Sequence, residues 1–252
     1  MSAAADPGPI IQVYEIQDAQ QAQLCIDLGI EHIGGVLLNA DHAFEPTVRA
    51  AIKAVQGAGL KYSLIPLFSD LDLICRAVEF HQPNIVHYCE AVADEGGLSN
   101  SARALAAVQG AVRHRFPHIA QMRAVPVACP GQSHRLDSLA VARLFEEVSD
   151  YFITDTWLMD RGEHAQPVSG FVGITGQVCD WEVVQRLVAS TRVPVIVAGG
   201  LDASNASAAL KATGAAGIDS CTRTNEMDSN GQPVRFRKCP RRLGDFVRAC
   251  RG

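Results

Sequence analysis

The sequence predicts an α/β protein built as a single (β/α)8 barrel. Eight short apolar runs alternate with eight amphipathic stretches along the chain. Most runs are apolar at consecutive positions, as in VPVIVA, which is how parallel strands covered by helices on the outside read. The 252 residues match what eight such βα units require.

The predicted strands are Ile10–Tyr14, His32–Leu38, Tyr62–Phe68, Asn84–Tyr88, Ile119–Val127, Tyr151–Thr154, Val193–Ala198 and Gly217–Cys221. Between them, DAQQAQLCIDLG opens on Asp18 as N-cap and stops at Gly29. PTVRAAIKAVQGAG begins with Pro46 at a first helical position and ends at Gly57 or Gly59. SDLDLICRAVEF, SNSARALAAVQGAVRHRF, LDSLAVARLFEEV, DWEVVQRLVAS, DASNASAALKATG (capped by Asp202 or Ser204) and PRRLGDFVRAC complete the alternation. A doubly wound sheet is the competing arrangement, but no GxGxxG follows the first strand. No linker-like shift in composition interrupts the pattern. Residues 1–9 read as a flexible tail and 10–252 as one barrel domain.

Composition narrows the function. With 48% apolar and 19% charged residues, the chain can fill a core and is not a disordered segment. The net charge of −5 argues against a nucleic-acid partner, and no apolar run approaches the ~18–20 residues of a membrane span. MSAAADPGPI has neither the basic start nor the apolar stretch of a secretory signal. Eight cysteines without a CxxC or other metal-ligand spacing indicate neither a disulfide framework nor a metal centre, and the expected setting is a reducing cytoplasm. The sequence calls for no cofactor.

In such a barrel, chemistry sits where strands end and βα loops begin. Three glycine- and hydroxyl-rich turns fall there: GFVGITGQ with Gly173, Thr175 and Gly176, AGGLD with Gly199 and Gly200, and DSCTRTNE with Ser220, Cys221 and Thr222. Glycines let backbone N–H groups approach an anion, and barrels often bind phosphate after strands seven and eight. The expected partner is a small phosphorylated substrate.

These segments resemble the phosphoribosylanthranilate isomerase family. FITD followed by GITGQVCDW is similar to its aspartate strand and phosphate loop, and PVIVAGGLDASNASAAL to its seventh strand, glycine pair and helix. GIDSCTRTNE and RLGDFVRACR resemble its last strand and helix, and DAQQAQLCIDLGIEHIGGVLL its first helix and second strand. The resemblance implies an Amadori rearrangement of a phosphoribosylamine, with Asp155 as general acid. It places the family's general base, a cysteine, at Tyr14, where Gln12-Val13-Tyr14-Glu15-Ile16 stands for the usual Lys-x-Cys-Gly-Ile. At neutral pH a phenol with a pKa near ~10 is a weaker base than a tuned thiolate, because it stays protonated. The arginine that the family directs at the substrate's carboxylate is also missing, since that loop reads NADHAFEP.

Other strand-end groups complete the candidate site. His87 and Cys89 share the inward face of the fourth strand, with His87 as an acid/base or a packed barrel histidine. Arg123 is expected to hold a second anionic group of the substrate or to pair with Asp155. Glu15 is chemically the better base than Tyr14, though strand alternation turns it away unless the chain kinks. Trp157 and Met159 read as a lid, and RFRKCPRR as a solvated loop and helix start, with a homodimer contact second. The expected function is isomerase or lyase chemistry on a phosphorylated sugar. The alternatives are an authentic phosphoribosylanthranilate isomerase with a substituted base, and a silent phosphate-ligand binder.

Overall fold

The computed structural model describes residues 8–95, 97–158 and 168–252. The first seven residues of the expected tail, and Met159, lie outside that set.

Eight parallel strands close into a barrel in chain order: β1 (Ile10–Val13), β2 (His32–Leu37), β3 (Lys61–Pro66), β4 (Ile85–Tyr88), β5 (Ala120–Ala128), β6 (Tyr151–Trp157), β7 (Val195–Val197) and β8 (Gly217–Ser220). Eight helices pack outside them: α1 (Ala19–Asp27), α2 (Pro46–Gly57), α3 (Leu71–His81), α4 (Ala102–Arg115), α5 (Ser138–Phe145), α6 (Trp181–Ser190), α7 (Ala206–Thr213) and α8 (Pro240–Arg251). The expected (β/α)8 barrel is the observed fold.

Local chemistry sets the helix limits. Asp18 accepts the Gln21 N–H at 2.8 Å, and Asp70 and Asp137 do the same for Leu73 at 2.8 Å and Ala140 at 2.9 Å. Pro46 and Pro240 stand in the first turns of α2 and α8. α7 departs from expectation: its N-cap position is Asn205, and Asp202 instead spends Oδ1 on the Ser204 N–H at 2.8 Å, shaping the turn before the helix.

Alternation along each strand sorts side chains into two cores. Tyr14, Val36, Ile65, Met122, Ile153 and Ile196 fill the barrel interior. Ile11, Val13, Ile33, Leu64, Val125 and Val127 face the helices. β5 and β6 run further than the sequence suggests and stay paired up to Ala128 and Trp157, so Asp155 sits inside a strand rather than in a loop.

Two of the long loops carry hairpins of their own, Ala93–Asp94 with Gly97–Leu98 after β4, and Asn225–Met227 with Pro233–Lys238 after β8. The β4 and β6 loops also clasp one another. The Val172 N–H donates to Cys89 O and the Ala91 N–H to Gly170 O, both at 2.8 Å.

Candidate active site

The strand ends and βα loops enclose a cavity at the C-terminal mouth of the barrel. Its walls include Tyr14, His87, Asp155 and Asp219 from the strands, together with the three glycine-rich turns. The sequence-predicted residues therefore come together, with one exception.

Asp155 stands on β6 with its side chain turned inward. Its Oδ1 accepts the Thr156 N–H at 2.9 Å, and burial pushes its pKa up to about 7. Gly173 lies directly over it: a Cβ at that glycine would collide with the Asp155 carboxylate. The glycine is thus required for the loop to close over the acid.

The three turns meet on one side. Thr156 Oγ1 donates to Gln177 O at 2.6 Å and fixes the end of the 173–178 loop. Gly200 presses on that loop, where a Cβ would stand 2.7–2.8 Å from backbone atoms of Gly176, Gln177 and Val178. Gly173, Gly176, Gly199 and Gly200 all have positive φ, and so does Ile174 at 62°. Arg223 braces the junction, donating from Nε to Gly176 O at 3.2 Å while Nη1 lies 3.2 Å from the Asp202 carboxylate. Thr175, Cys221 and Thr222 border the same space. Ser220 lines the same space, and its hydroxyl donates to Leu201 O at 2.7 Å, which holds the turn.

Tyr14 occupies the position of the expected base but is built as an interior strut. Its hydroxyl lies 2.6 Å from Ser63 Oγ and 2.7 Å from His87 Nδ1, and its ring fills the space that a Cβ on Gly34 would need. Burial raises its pKa well above 10, which removes it as a base near neutrality. His87 is driven the other way, to about 3, by burial and then by the nearby Arg123 charge, so the imidazole is neutral. Its Nε2 is buried with no partner among the described residues.

Arg123 is the exception. On β5 the inward positions are Met122 and Ala124, so Arg123 points outward into the helix layer. There Nη1 lies 2.8 Å from Glu90 Oε2, Nε donates to Gln109 at 3.0 Å, and the guanidinium stacks 4.2 Å from the Phe145 ring centroid. It neither lines the cavity nor pairs with Asp155.

Glu15 reaches the cavity rim because the chain does kink there, at φ 66°. Its carboxylate is already engaged: Arg235 Nε donates at 2.6 Å, Asn225 Nδ2 at 3.3 Å and the Phe236 N–H at 3.4 Å. The basic run is solvated only in part: Arg237 and Arg241 are exposed and a helix starts at Pro240, but Arg235 and Lys238 turn inward. Arg235 ties the β8 hairpin to the end of β1, and Lys238 is buried with Nζ 2.8 Å from Cys221 O and 2.6 Å from Asn225 Oδ1. Trp157 packs partly buried against the outer core.

Asp219 was not singled out by sequence. It projects inward from β8, is 6% exposed, and accepts from Gln12 Nε2 at 3.3 Å. Burial, and next the charge of Asp155, raise its pKa to about 8. The available signal was a carboxylate in an otherwise apolar strand, two residues from Cys221 and so on the same face. Among the described residues, no three His, Cys, Asp or Glu side chains converge as a metal site.

Comparison with known proteins agrees with this geometry. Residues 120–222 match the family described as N-(5'phosphoribosyl)anthranilate (PRA) isomerase. An N-(5'-phosphoribosyl)anthranilate isomerase 2 from Methanosarcina mazei is 32% identical over 120 residues, 48% of this chain and 46% of the relative. One from Moorella thermoacetica is 25% identical over 96% of this chain and 89% of its own length. The M. mazei match thus spans about half the relative's length. A solved phosphoribosyl anthranilate isomerase, in complex with reduced 1-(o-carboxyphenylamino)-1-deoxyribulose 5-phosphate, has a TM-score of 0.64 at 14% identity, covering 96% of this chain and 98% of its own. That structure speaks to the fold alone. With the glycine-rich turns and the inward aspartate in place, these matches make the chain similar to the phosphoribosylanthranilate isomerase family, with the family match lying over residues 120–222.

Proposed function

We propose that the protein is an isomerase of phosphorylated ribosylamines, rearranging an N-glycoside of ribose 5-phosphate to the 1-amino-1-deoxyribulose by an Amadori reaction. The observation that carries this reading is the position of Asp155. It is a half-buried carboxyl group with a pKa of about 7, beneath Gly173 and beside the glycine cradle, so a sugar anchored there by its phosphate would lie against a proton donor. The family match over residues 120–222 and the M. mazei relative support the substrate class.

In this mechanism the cradle holds the phosphate, and Asp155 as general acid protonates the ring oxygen so that the C1–O bond opens to an iminium. A base then removes the C2 proton, and the enolamine tautomerises to the ketone. Neutral His87, held through Nδ1 by Tyr14, offers Nε2 to a substrate hydroxyl rather than serving as a base.

A second reading concerns the group carried on the substrate's nitrogen. The wall opposite the cradle is apolar, with Val36, Ile65, Leu67 and Phe171, and the only Arg or Lys lining the cavity among the described residues is Arg223, which is paired with Asp202. His42, in the loop where the family places its arginine, is exposed and bonded to Asn39. This favours a neutral apolar amine substituent over anthranilate.

The test compares N-(5'-phosphoribosyl)anthranilate with N-(5'-phosphoribosyl)aniline. Turnover of either supports the isomerase, and a higher kcat/KM for the aniline glycoside supports the second reading. No turnover of either by folded, phosphate-binding protein contradicts the proposal.

A further inference from the structure

The base in this reaction has no obvious candidate, because Tyr14 is an interior strut and Glu15 is held by Arg235. The strand register offers another group. Ile153 pairs with Ile196, and Ile196 with Gly217, so Asp155 and Asp219, each two residues further on, flank Ala198, the residue that follows β7. Both project inward and both line the cavity. With strands ~4.8 Å apart, their backbones are about 10 Å apart, and the intervening side chain is only a methyl group. The two carboxyl groups therefore face one cavity on either side of Ala198, beside Gly199 and Gly200, near enough for the Asp155 charge to act on Asp219. A third polar group points to a ligand here: His87, 3% exposed, presents the unpartnered Nε2 in the same cavity.

We infer that Asp219 is the general base of the isomerisation, paired with Asp155 across Ala198 in place of the thiol that Tyr14 displaces. The inference rests on the isomerase reading above. Two carboxyl groups on one cavity wall, both raised by desolvation, hold one proton between them near neutrality. Around Asp219, the Gln12 amide from β1 and the Lys238 ammonium from the β8 hairpin favour the anion, while Asp155 from β6 opposes it. The opposition disappears when Asp155 carries the proton, so of the pair's two singly protonated forms the reactive one has Asp155 protonated and Asp219 ionised.

The protons then balance. Asp155 gives its proton to the ring oxygen as the C1–O bond breaks and the nitrogen lone pair forms C=N. Asp219 takes the C2 proton as the C–H electrons form the enolamine double bond. Tautomerisation moves the C2 hydroxyl proton to C1. The pair ends with one proton, now on Asp219, and its transfer back to Asp155 restores the starting state.

The experiment uses wild type, Asp219→Asn and Asp155→Asn with N-(5'-phosphoribosyl)anthranilate and N-(5'-phosphoribosyl)aniline. It reads kcat and KM against pH, affinity for inorganic phosphate, and the Asp219 carboxyl titration by 13C NMR. Asp219→Asn should lower kcat by roughly 10²-fold or more, keep KM and phosphate affinity within about threefold, and remove the acidic limb of the pH profile. In Asp155→Asn, the Asp219 midpoint should fall by about one pH unit or more, a readout independent of turnover. An active wild type with Asp219→Asn retaining over about a third of kcat, or an Asp219 midpoint unmoved by Asp155→Asn, overturns the pairing. An inactive wild type overturns the isomerase reading, and the base with it, and is told apart because the failure then appears before any substitution.

Discussion

Gly200→Ala gives a direct measure of how closely the phosphate cradle is built. A Cβ at Gly200 would stand 2.7 Å from the Gln177 carbonyl carbon and 2.8 Å from both Gly176 O and Val178 N, where ordinary contact begins at 3.4 Å. The turns must therefore separate by 3.4 − 2.7 = 0.7 Å. All three atoms are backbone, so no change of rotamer relieves the clash. The residue also sits at φ 56°, where alanine costs about 1 kcal/mol more than glycine. A 0.7 Å opening exceeds the ~0.5 Å spread of good N–H···O distances, so at least one charge-assisted hydrogen bond to phosphate should be lost. At about 1.5–3 kcal/mol each, the expected loss of affinity is roughly 10- to 100-fold. Calorimetric titration with inorganic phosphate and ribose 5-phosphate measures it. Gly57→Ala is the control: it lies in α2 with open space around its Cβ, and should leave affinity unchanged while raising stability by about 0.5–1 kcal/mol. Folded Gly200→Ala binding phosphate within twofold of wild type would refute the cradle.

Three further outcomes follow from buried charge. Glu90→Gln should cost about 3–5 kcal/mol in denaturant unfolding by leaving the Arg123 guanidinium unpaired, without altering phosphate affinity; a weakened phosphate site would mean Arg123 does serve the ligand. Because folding raises Asp155 from 3.8 to about 7, the folded chain keeps a proton that the unfolded chain releases between those values. Its contribution to stability thus declines as pH rises through that window, and Asp155→Asn should stabilise the protein at pH 8 by on the order of a few kcal/mol, with little gain at pH 4. Equal melting curves at pH 8 would contradict the burial assigned to this group. Glu15→Gln should destabilise by about 1–3 kcal/mol and speed amide hydrogen exchange in 233–238, because the contact of Arg235 with Glu15 joins that hairpin to β1; unchanged exchange would separate the two segments.

The barrel was legible because its signals are local. β-branched runs, capping aspartates and prolines at helix starts each declare an element without reference to its neighbours. The glycine-rich turns were legible for the same reason, since Gly173, Gly176, Gly199 and Gly200 all take the positive φ that glycine favours. What depends on register was not legible. β5 is apolar on both faces, so nothing in MRAVPV shows that Met122 is the inward residue and Arg123 the outward one; pairing of Arg123 with Tyr88 decides it. Asp219 was hidden because its importance comes from lying level with Asp155 two strands away. The ties of Ser220 and Arg235 were hidden because their partners, Leu201 O and Glu15, lie far from them in sequence.

The account turns on Asp155 acting chemically beside a phosphate cradle that binds independently of it. The most direct measurement is kcat of wild type and Asp155→Asn on phosphoribosylated arylamines, with phosphate affinity determined on the same preparations. The account predicts a loss of kcat of roughly 10²-fold or more with phosphate affinity within about threefold of wild type. Turnover that survives the substitution, or phosphate binding that disappears with it, would contradict it.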